Sequence, residues 1–258
     1  MVNQFLFPFG EKLQKVKQEE RSPKKVFILG VYASAVHARW IDQYGRQKVA
    51  ALAVQSEPYI FWRGENAEDI IGRIKIPKPL GQLILPANPN LNGPSGRALD
   101  NLYLYPLSLK RENSWLCDLL PYSRINANQR NAIKQHYTKE IIDQFHLQPA
   151  TIPDFNKSEL DSSLRRKQIL EELELSKAEE LILLGDLPIY YFLRFHDKKY
   201  TGLSSFGKTK DLYGRPHEIT INNKTYLVRA LCHPRQADRL GKTNIFWGNL
   251  HDSWIKTL

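Results

Sequence analysis

Cysteine is scarce in this chain of 258 residues, which carries only Cys117 and Cys232, and neither has C-x-x-C or Cys/His spacing. That excludes zinc and iron–sulfur centres of the usual kinds, and no metal or cofactor is expected. Each cysteine sits in an apolar β-type run, Trp115-Leu116-Cys117 or Ala230-Leu231-Cys232, where a free thiol behaves as a small buried hydrophobe. His136 and His146 stand too far from other ligand types to build a site. No apolar run approaches the ~20 residues that span a bilayer, so no membrane association is expected. The start, Met1-Val2-Asn3-Gln4-Phe5, lacks the basic and apolar regions of a signal peptide and points to a cytoplasmic protein. No internal repeat is visible.

What is present suits a globular chain: 42% hydrophobic residues and five Trp, with length enough to bury a core. The net charge of +10 is uneven. Asp154 to Glu180 holds eight acidic and five basic residues, whereas Arg194 to Lys242 holds eleven basic and four acidic. Lys and Arg release condensed counterions when they meet phosphates. A polyanion therefore explains the basic C-terminal third better than solvated surface charge does, and the expected partner is nucleic acid.

Along the chain, residues 1–24 read as an apolar hook (Phe5, Leu6, Phe7, Phe9) followed by a charged helical segment, an extension packing on the domain. Pro23 leads into a strand over 25–30, and Lys48 to Val54 is a second continuous apolar run of strand length. The stretch 75–96, rich in Pro, Gly and Asn, predicts an extended loop. Ser95 is placed to cap a helix from Arg97. Ser114 to Leu119 reads as a strand, Asn126 or Asn128 as the cap of a helix over 129–145, and 162–176 as an amphipathic helix. Leu181 to Gly185 is another buried strand, and Pro188 suits the first turn of the helix after it. Lys198 to Arg215 reads as a polar loop, and Asn222-Asn223 as a hairpin turn. Buried strands alternating with helices predict an α/β fold, a three-layer α/β/α sandwich with a mainly parallel central sheet of about four strands. Strand ends at Gly30, Asp118, Gly185 and His233 would then gather on one edge, where ligands bind in such sheets.

Five segments, in order, carry a resemblance. They are Gly30-Val31-Tyr32-Ala33-Ser34, Ala51-Leu52-Ala53-Val54, Asn92-Gly93-Pro94-Ser95-Gly96-Arg97-x-Leu99-Asp100, Trp115-x-x-Asp118-Leu119-x-Pro121 and His233-Pro234. Together they resemble the motifs of the uracil-DNA glycosylase superfamily over most of residues 25–236. The first lies where relatives read Gly-x-Asp-Pro-Tyr, Gly-x-Asn-Pro or Gly-Glu-x-Pro-Gly. The fourth lies where they carry a strand ending in Asn, and the last opens their His-Pro-Ser motif. Two positions depart from the pattern: Tyr32 stands at the water-activating Asp or Asn, and Asp118 at the pyrimidine-reading Asn. The iron–sulfur cysteines of some bacterial families are absent as well.

The resemblance implies a single glycosylase-like domain over 1–258 that hydrolyses the N-glycosidic bond of a flipped-out pyrimidine in double-stranded DNA, as a monomer. Such chemistry needs a reader for the base edge and stabilisation of the departing base anion. A neutral His233 suits the second task; its structural alternative is a strand-end cap. An ionised Asp118 is acceptor-only and suits the exocyclic amine of cytosine, as acidic side chains do in DNA grooves. Its structural alternative is an N-cap or an ion pair with Arg124. Tyr32, near His37 and Arg39, positions water, stacks on the base or simply walls the pocket, with Asp42 and Glu57 as fallback carboxylates; the sequence leaves that choice open.

Gly30, Ala33, Ser34 and Val54 are the expected base-pocket residues. Arg235, Gln236, Arg239, Leu240 and Lys242 are expected to enter the minor groove, with Lys208, Lys210, Arg215 and Ser95 on the backbone. Trp247, His251 and Trp254 read as core or C-terminal docking residues. The departures at 32 and 118 lean toward a modified cytosine in foreign, phage-type DNA, hence a defensive role. Repair of uracil or mismatched thymine, and an inactive DNA-binding protein on the same fold, are the rivals.

Overall fold

A computed structural model describes residues 5–18, 20–240 and 245–258; Lys242 lies outside them. The strands are β1 (Val26–Tyr32), β2 (Ala35–Ile41), β3 (Gln47–Ser56), β4 (Gln82–Ile84), β5 (Ser114–Leu120), β6 (Glu180–Leu184), β7 (Pro216–Ile221) and β8 (Lys224–Leu231). The helices are α1 (Ala67–Gly72), α2 (Pro94–Leu99), α3 (Ala127–His136), α4 (Lys139–Gln144), α5 (Ser163–Ser176), α6 (Asp186–Tyr191), α7 (Pro234–Ala237) and α8 (Ile245–Ile255).

The central sheet has the order β5-β1-β6-β8-β7. Its first four strands are parallel, and β7 is antiparallel to β8. This is the expected α/β fold with one strand more. Every residue of β5 and all but the last of β1 are buried, which is why these strands read as unbroken apolar runs: a parallel sheet is covered on both faces. Helix α5 packs on β1 and β5, and α6 on β1 and β6. The β7–β8 turn holds Asn222 and Asn223 at φ 48° and 65°, the left-handed pair that a two-residue hairpin requires and Asn tolerates.

A second, three-stranded antiparallel sheet of order β3-β2-β4 has its own core around Trp40, Leu52 and Trp62. Two expectations change here. The apolar run Lys48 to Val54 belongs to this sheet and not to the parallel one, because it follows β2 through a tight turn. In that turn the Asp42 carboxylate accepts the Tyr44 and Arg46 N–H groups, each at 2.9 Å. A connection so short permits only antiparallel pairing. The segment 75–96, moreover, is not all loop, since it contains β4 and two 3₁₀ turns, Lys78–Leu80 and Pro89–Leu91.

The segment before β1 is extended where a helix was expected. It runs along the free edge of β5: Val16 N–H donates to Pro121 O at 2.9 Å, and Leu116 N–H donates to Gln18 Oε1 at 3.1 Å. Covering an edge strand in this way closes a site of unwanted pairing. The helix expected over 129–145 is two helices, α3 and α4, broken at Tyr137 and Thr138, which leave helical backbone geometry. Asn126 does cap α3, accepting the Gln129 N–H at 3.0 Å while Gln129 Oε1 accepts the Asn126 N–H at 2.7 Å, a capping box.

Helix α8 locks the end of β8 through a buried relay. His251 Nε2–H donates to Leu102 O at 2.9 Å, so its Nδ1 accepts the Tyr213 hydroxyl at 2.9 Å. The Tyr213 oxygen in turn accepts the Cys232 N–H at 2.8 Å. Burial lowers the His251 pKa to about 4, which keeps the ring neutral and the relay intact. As expected, His251 and Trp254 are core residues. Tyr213→Phe removes two of these bonds at about 1 kcal/mol each. The expected result is a lower Tm with the fold retained, checked by thermal unfolding; an unchanged Tm would mean the relay carries no stability.

Candidate active site

The C-terminal ends of the parallel strands converge as the sequence implied. Gly30 pairs with Asp118 across β1 and β5, and a Cβ on Gly185 would lie 3.3 Å from the His233 Cβ. At φ +93° Gly185 also needs the left-handed region that glycine enters freely. On this edge opens a cavity of about 460 Å³, lined by Tyr32, Asp118 and His233 from the strand ends, and by Glu57, Phe61 and Phe155.

Gly30 lies beneath this cavity. A Cβ there would fall 2.4 Å from Asp118 Oδ1 and 2.7 Å from the Phe61 ring, so glycine is what lets the carboxyl and the ring close over the strand. The Asp118 side chain is buried, and among the described residues no cation pairs with its carboxyl. Arg124 is taken by Glu159, at 3.0 Å, so the ion pair considered between Arg124 and Asp118 does not form. Arg165 donates to the Asp118 main-chain oxygen at 2.6 Å, to Cys117 Sγ at 3.1 Å and to Glu172 at 2.9 Å. Burial raises the Asp118 pKa to about 7 against the pull of Arg165.

His233 takes the strand-end cap role. It precedes α7, and its Nδ1 accepts the Arg235 N–H at 3.1 Å while its own N–H donates to Gln236 Oε1 at 3.2 Å. An Nδ1 that accepts carries no proton, so the neutral ring bears its hydrogen on Nε2. Burial, and then the Arg235 charge, lower the pKa to about 4. The cap leaves Nε2–H as the ring's donor on a residue that lines the cavity.

Tyr32 is a wall. Its ring stacks on Phe155 at 4.5 Å and 24°, and burial raises its pKa. Ala33 and Ser34 line the cavity beside it. Of the fallback carboxylates, Asp42 is held in the β2–β3 turn by Arg46, away from the cavity. Glu57, one residue beyond β3, is buried in the cavity wall. Burial and then the Asp118 charge push its pKa up to about 8, opposed by a hydrogen bond from the Ser34 N–H.

Other expectations are corrected. Val54 is wholly buried in the second core and does not line the cavity, because β3 turns that residue into its own sheet. Ser95 lines the cavity but caps nothing; α2 begins at Pro94, with Gly93 in the cap position. Arg235 and Leu240 do stand at the cavity, linked by Arg235 Nε–H to Leu240 O at 3.0 Å. Gln236 is occupied in the cap. Arg239 is paired with Asp252 at 2.5 Å and Asn249 at 3.1 Å on α8. Lys208 and Lys210 are exposed outside the cavity.

Phe61, Phe155, Gln129 and the Arg165 network complete the site without having been singled out from the sequence. Asn126 shares the wall with Gln129, and its cap signal was the one local clue to that wall. Among the described residues no group of three or more His, Cys, Asp or Glu could hold a metal ion, and no helix is long and apolar enough to cross a membrane. No protein-family model matches this chain, and no curated protein matches it.

Proposed function

We propose that this protein is a monofunctional DNA glycosylase that excises a flipped-out pyrimidine and leaves an abasic site. The observation that carries the reading is the pairing, in one cavity at the sheet edge, of a neutral imidazole N–H donor with a buried, unpaired carboxyl. His233 Nε2–H donates to the base oxygen on which negative charge grows as the glycosidic bond breaks. Such preorganised donors are worth about 3 kcal/mol in a dry site. Asp118 meets the base edge, and Tyr32 and Phe61 offer faces for stacking. Among the described residues no lysine lines the cavity.

A cytosine-type base fits Asp118, since an incoming amine donor draws the carboxyl into its ionised, acceptor-only state. At about 460 Å³ the cavity is within the range of sites for drug-sized ligands, about 300–1,000 Å³, so it has room for a base bearing a substituent. That supports the modified cytosines of foreign DNA, and a defensive role, as the substrate class. One observation favours a second reading. With its pKa near 7, Asp118 is partly protonated at neutral pH, and a carboxylic acid offers the donor and acceptor that uracil requires.

The test is incubation with duplexes containing uracil, cytosine, 5-hydroxymethylcytosine or glucosylated hydroxymethylcytosine, followed by alkali to cleave abasic sites. Cleavage of the cytosine derivatives alone supports the first reading and of uracil alone the second; binding without cleavage sinks both. Duplex binding should separate the two arginines near His233. Arg235→Ala, at the cavity mouth, is expected to weaken binding and shallow its salt dependence by about one unit. Arg239→Ala, paired to Asp252, should change both much less. Equal effects in a salt titration would mean the DNA-facing surface lies elsewhere.

A further inference from the structure

Glu57 and Asp118 are 7% and 3% exposed and face the same cavity. They come from different sheets, Asp118 from β5 and Glu57 from the chain just past β3. Among the described residues no ion pair involves either carboxyl. From α5, Arg165 is bonded to Glu172, Cys117 and the main chain at Asp118. From the segment after β5, Arg124 is bonded to Glu159. From α7, Arg235 is bonded to Leu240 O. His233 is neutral, and Tyr32 is a phenol.

The charge of one buried carboxylate opposes ionisation of a second on the same cavity, so the pair holds on to one proton to higher pH. The proton stays on Glu57. Arg165 eases the ionisation of Asp118, whereas the Asp118 charge opposes that of Glu57.

We infer that Glu57 is the general acid of the reaction, delivering its proton to the departing pyrimidine. This rests on the glycosylase reading and completes it for an amino-pyrimidine. Beside the exocyclic amine such a base carries an unprotonated ring nitrogen, N3, which is an acceptor. The amine meets the Asp118 carboxylate, N3 meets the Glu57 O–H, and the 2-oxygen meets His233 Nε2–H.

As the bond from C1′ to N1 breaks, its electron pair passes into the ring and the Glu57 proton passes to N3. The base departs neutral, not as an anion. Water adds to C1′ and its surplus proton returns to the Glu57 carboxylate. One water is consumed and the enzyme regains its starting state. This is the logic by which paired carboxyl groups cleave O-glycosides, and protonation of the leaving group matters more for cytosine, whose anion is the poorer leaving group, than for uracil.

The experiment is the pH dependence of single-turnover base release from the cytosine-type duplex that the wild type cleaves best. The wild-type rate is expected to rise as Asp118 ionises near pH 7 and to fall as pH rises through the Glu57 pKa near 8, while neutral His233 adds no limb above about pH 5. Glu57→Gln should be about 10²- to 10⁴-fold slower, the usual worth of a general acid, and should lose the alkaline limb. Binding to the same duplex with a non-cleavable 2′-fluoroarabino nucleotide at the target should be retained, which shows that the variant is folded.

A wild-type rate that shows no fall up to about pH 9 overturns the assignment without any variant. So does a Glu57→Gln variant that keeps the alkaline limb, however slow it is. A wild type that releases no base at all overturns the glycosylase reading itself, and is thereby distinguished from a failure of Glu57 alone.

Discussion

His233→Ala is expected to slow single-turnover base release by about a hundredfold or more, with duplex affinity nearly unchanged. The ring sits where strand β8 ends, and its Nδ1 is occupied by the Arg235 N–H. Nε2–H is therefore the atom left for substrate. It serves a charge that exists only while the base departs, so its loss appears in the chemical step and not in binding. The cap complicates a simple reading, because alanine also removes an acceptor at the start of α7, worth about 1 kcal/mol. His233→Asn resolves this, since Asn caps well but is too short to place a donor where Nε2–H stands. Both variants should be slow, and only the alanine should lose the cap's contribution to Tm. An unaltered rate in either removes His233 from the mechanism. A slow alanine beside a wild-type-like asparagine reduces the residue to a cap.

How much of this could be read in advance follows from how locally each feature is determined. The strands leading to Gly30, Gly185 and His233 were legible because parallel strands are covered on both faces and so lack alternation. The same property misled at Ala51 to Val54, an apolar run that fits an antiparallel strand in a second core equally well. Strand β2 was missed: His37 and Arg39 interrupt its apolar character, and what stabilises His37 there is remote. Its N–H donates to Asn92 Oδ1 at 2.8 Å and its ring Nδ1–H to Leu91 O at 2.9 Å.

The charged segment before β1 resembled a helix because nothing in it announces that Val16 and Gln18 bond to the edge of β5. That Tyr32 and Glu57 line one cavity while Asp42 does not depended on how two sheets meet, which no short segment encodes. Arg239 looked like a free cation beside His233. Its partner Asp252 is thirteen residues away, on a helix that packs on α7.

Asp118→Asn should change which base the cavity accepts. The wild-type carboxyl is an acceptor when ionised, whereas asparagine presents a donor and an acceptor at every pH. If Asp118 reads an exocyclic amine, the variant should lose about 1–3 kcal/mol on a cytosine-type substrate, the worth of one base-edge contact, roughly a 5- to 150-fold fall in kcat/KM. It should gain on uracil, most clearly above pH 7, where the wild-type acid has lost its proton.

Stability separates this from damage to the fold. The folded-state pKa of Asp118 is raised from 3.8 to about 7, so its contribution is fully present below the unfolded value and is lost as pH rises through 7. Asparagine carries no such loss. The Tm of the variant should therefore gain on the wild type between pH 5 and pH 8. Because the Asp118 charge also raises the Glu57 pKa, the alkaline limb of the rate should move to lower pH in the variant. A variant that keeps its rate and its preference for cytosine would show that Asp118 does not touch the base edge. The carboxyl would then be a structural group of β5, and the amino-pyrimidine assignment would fall with it.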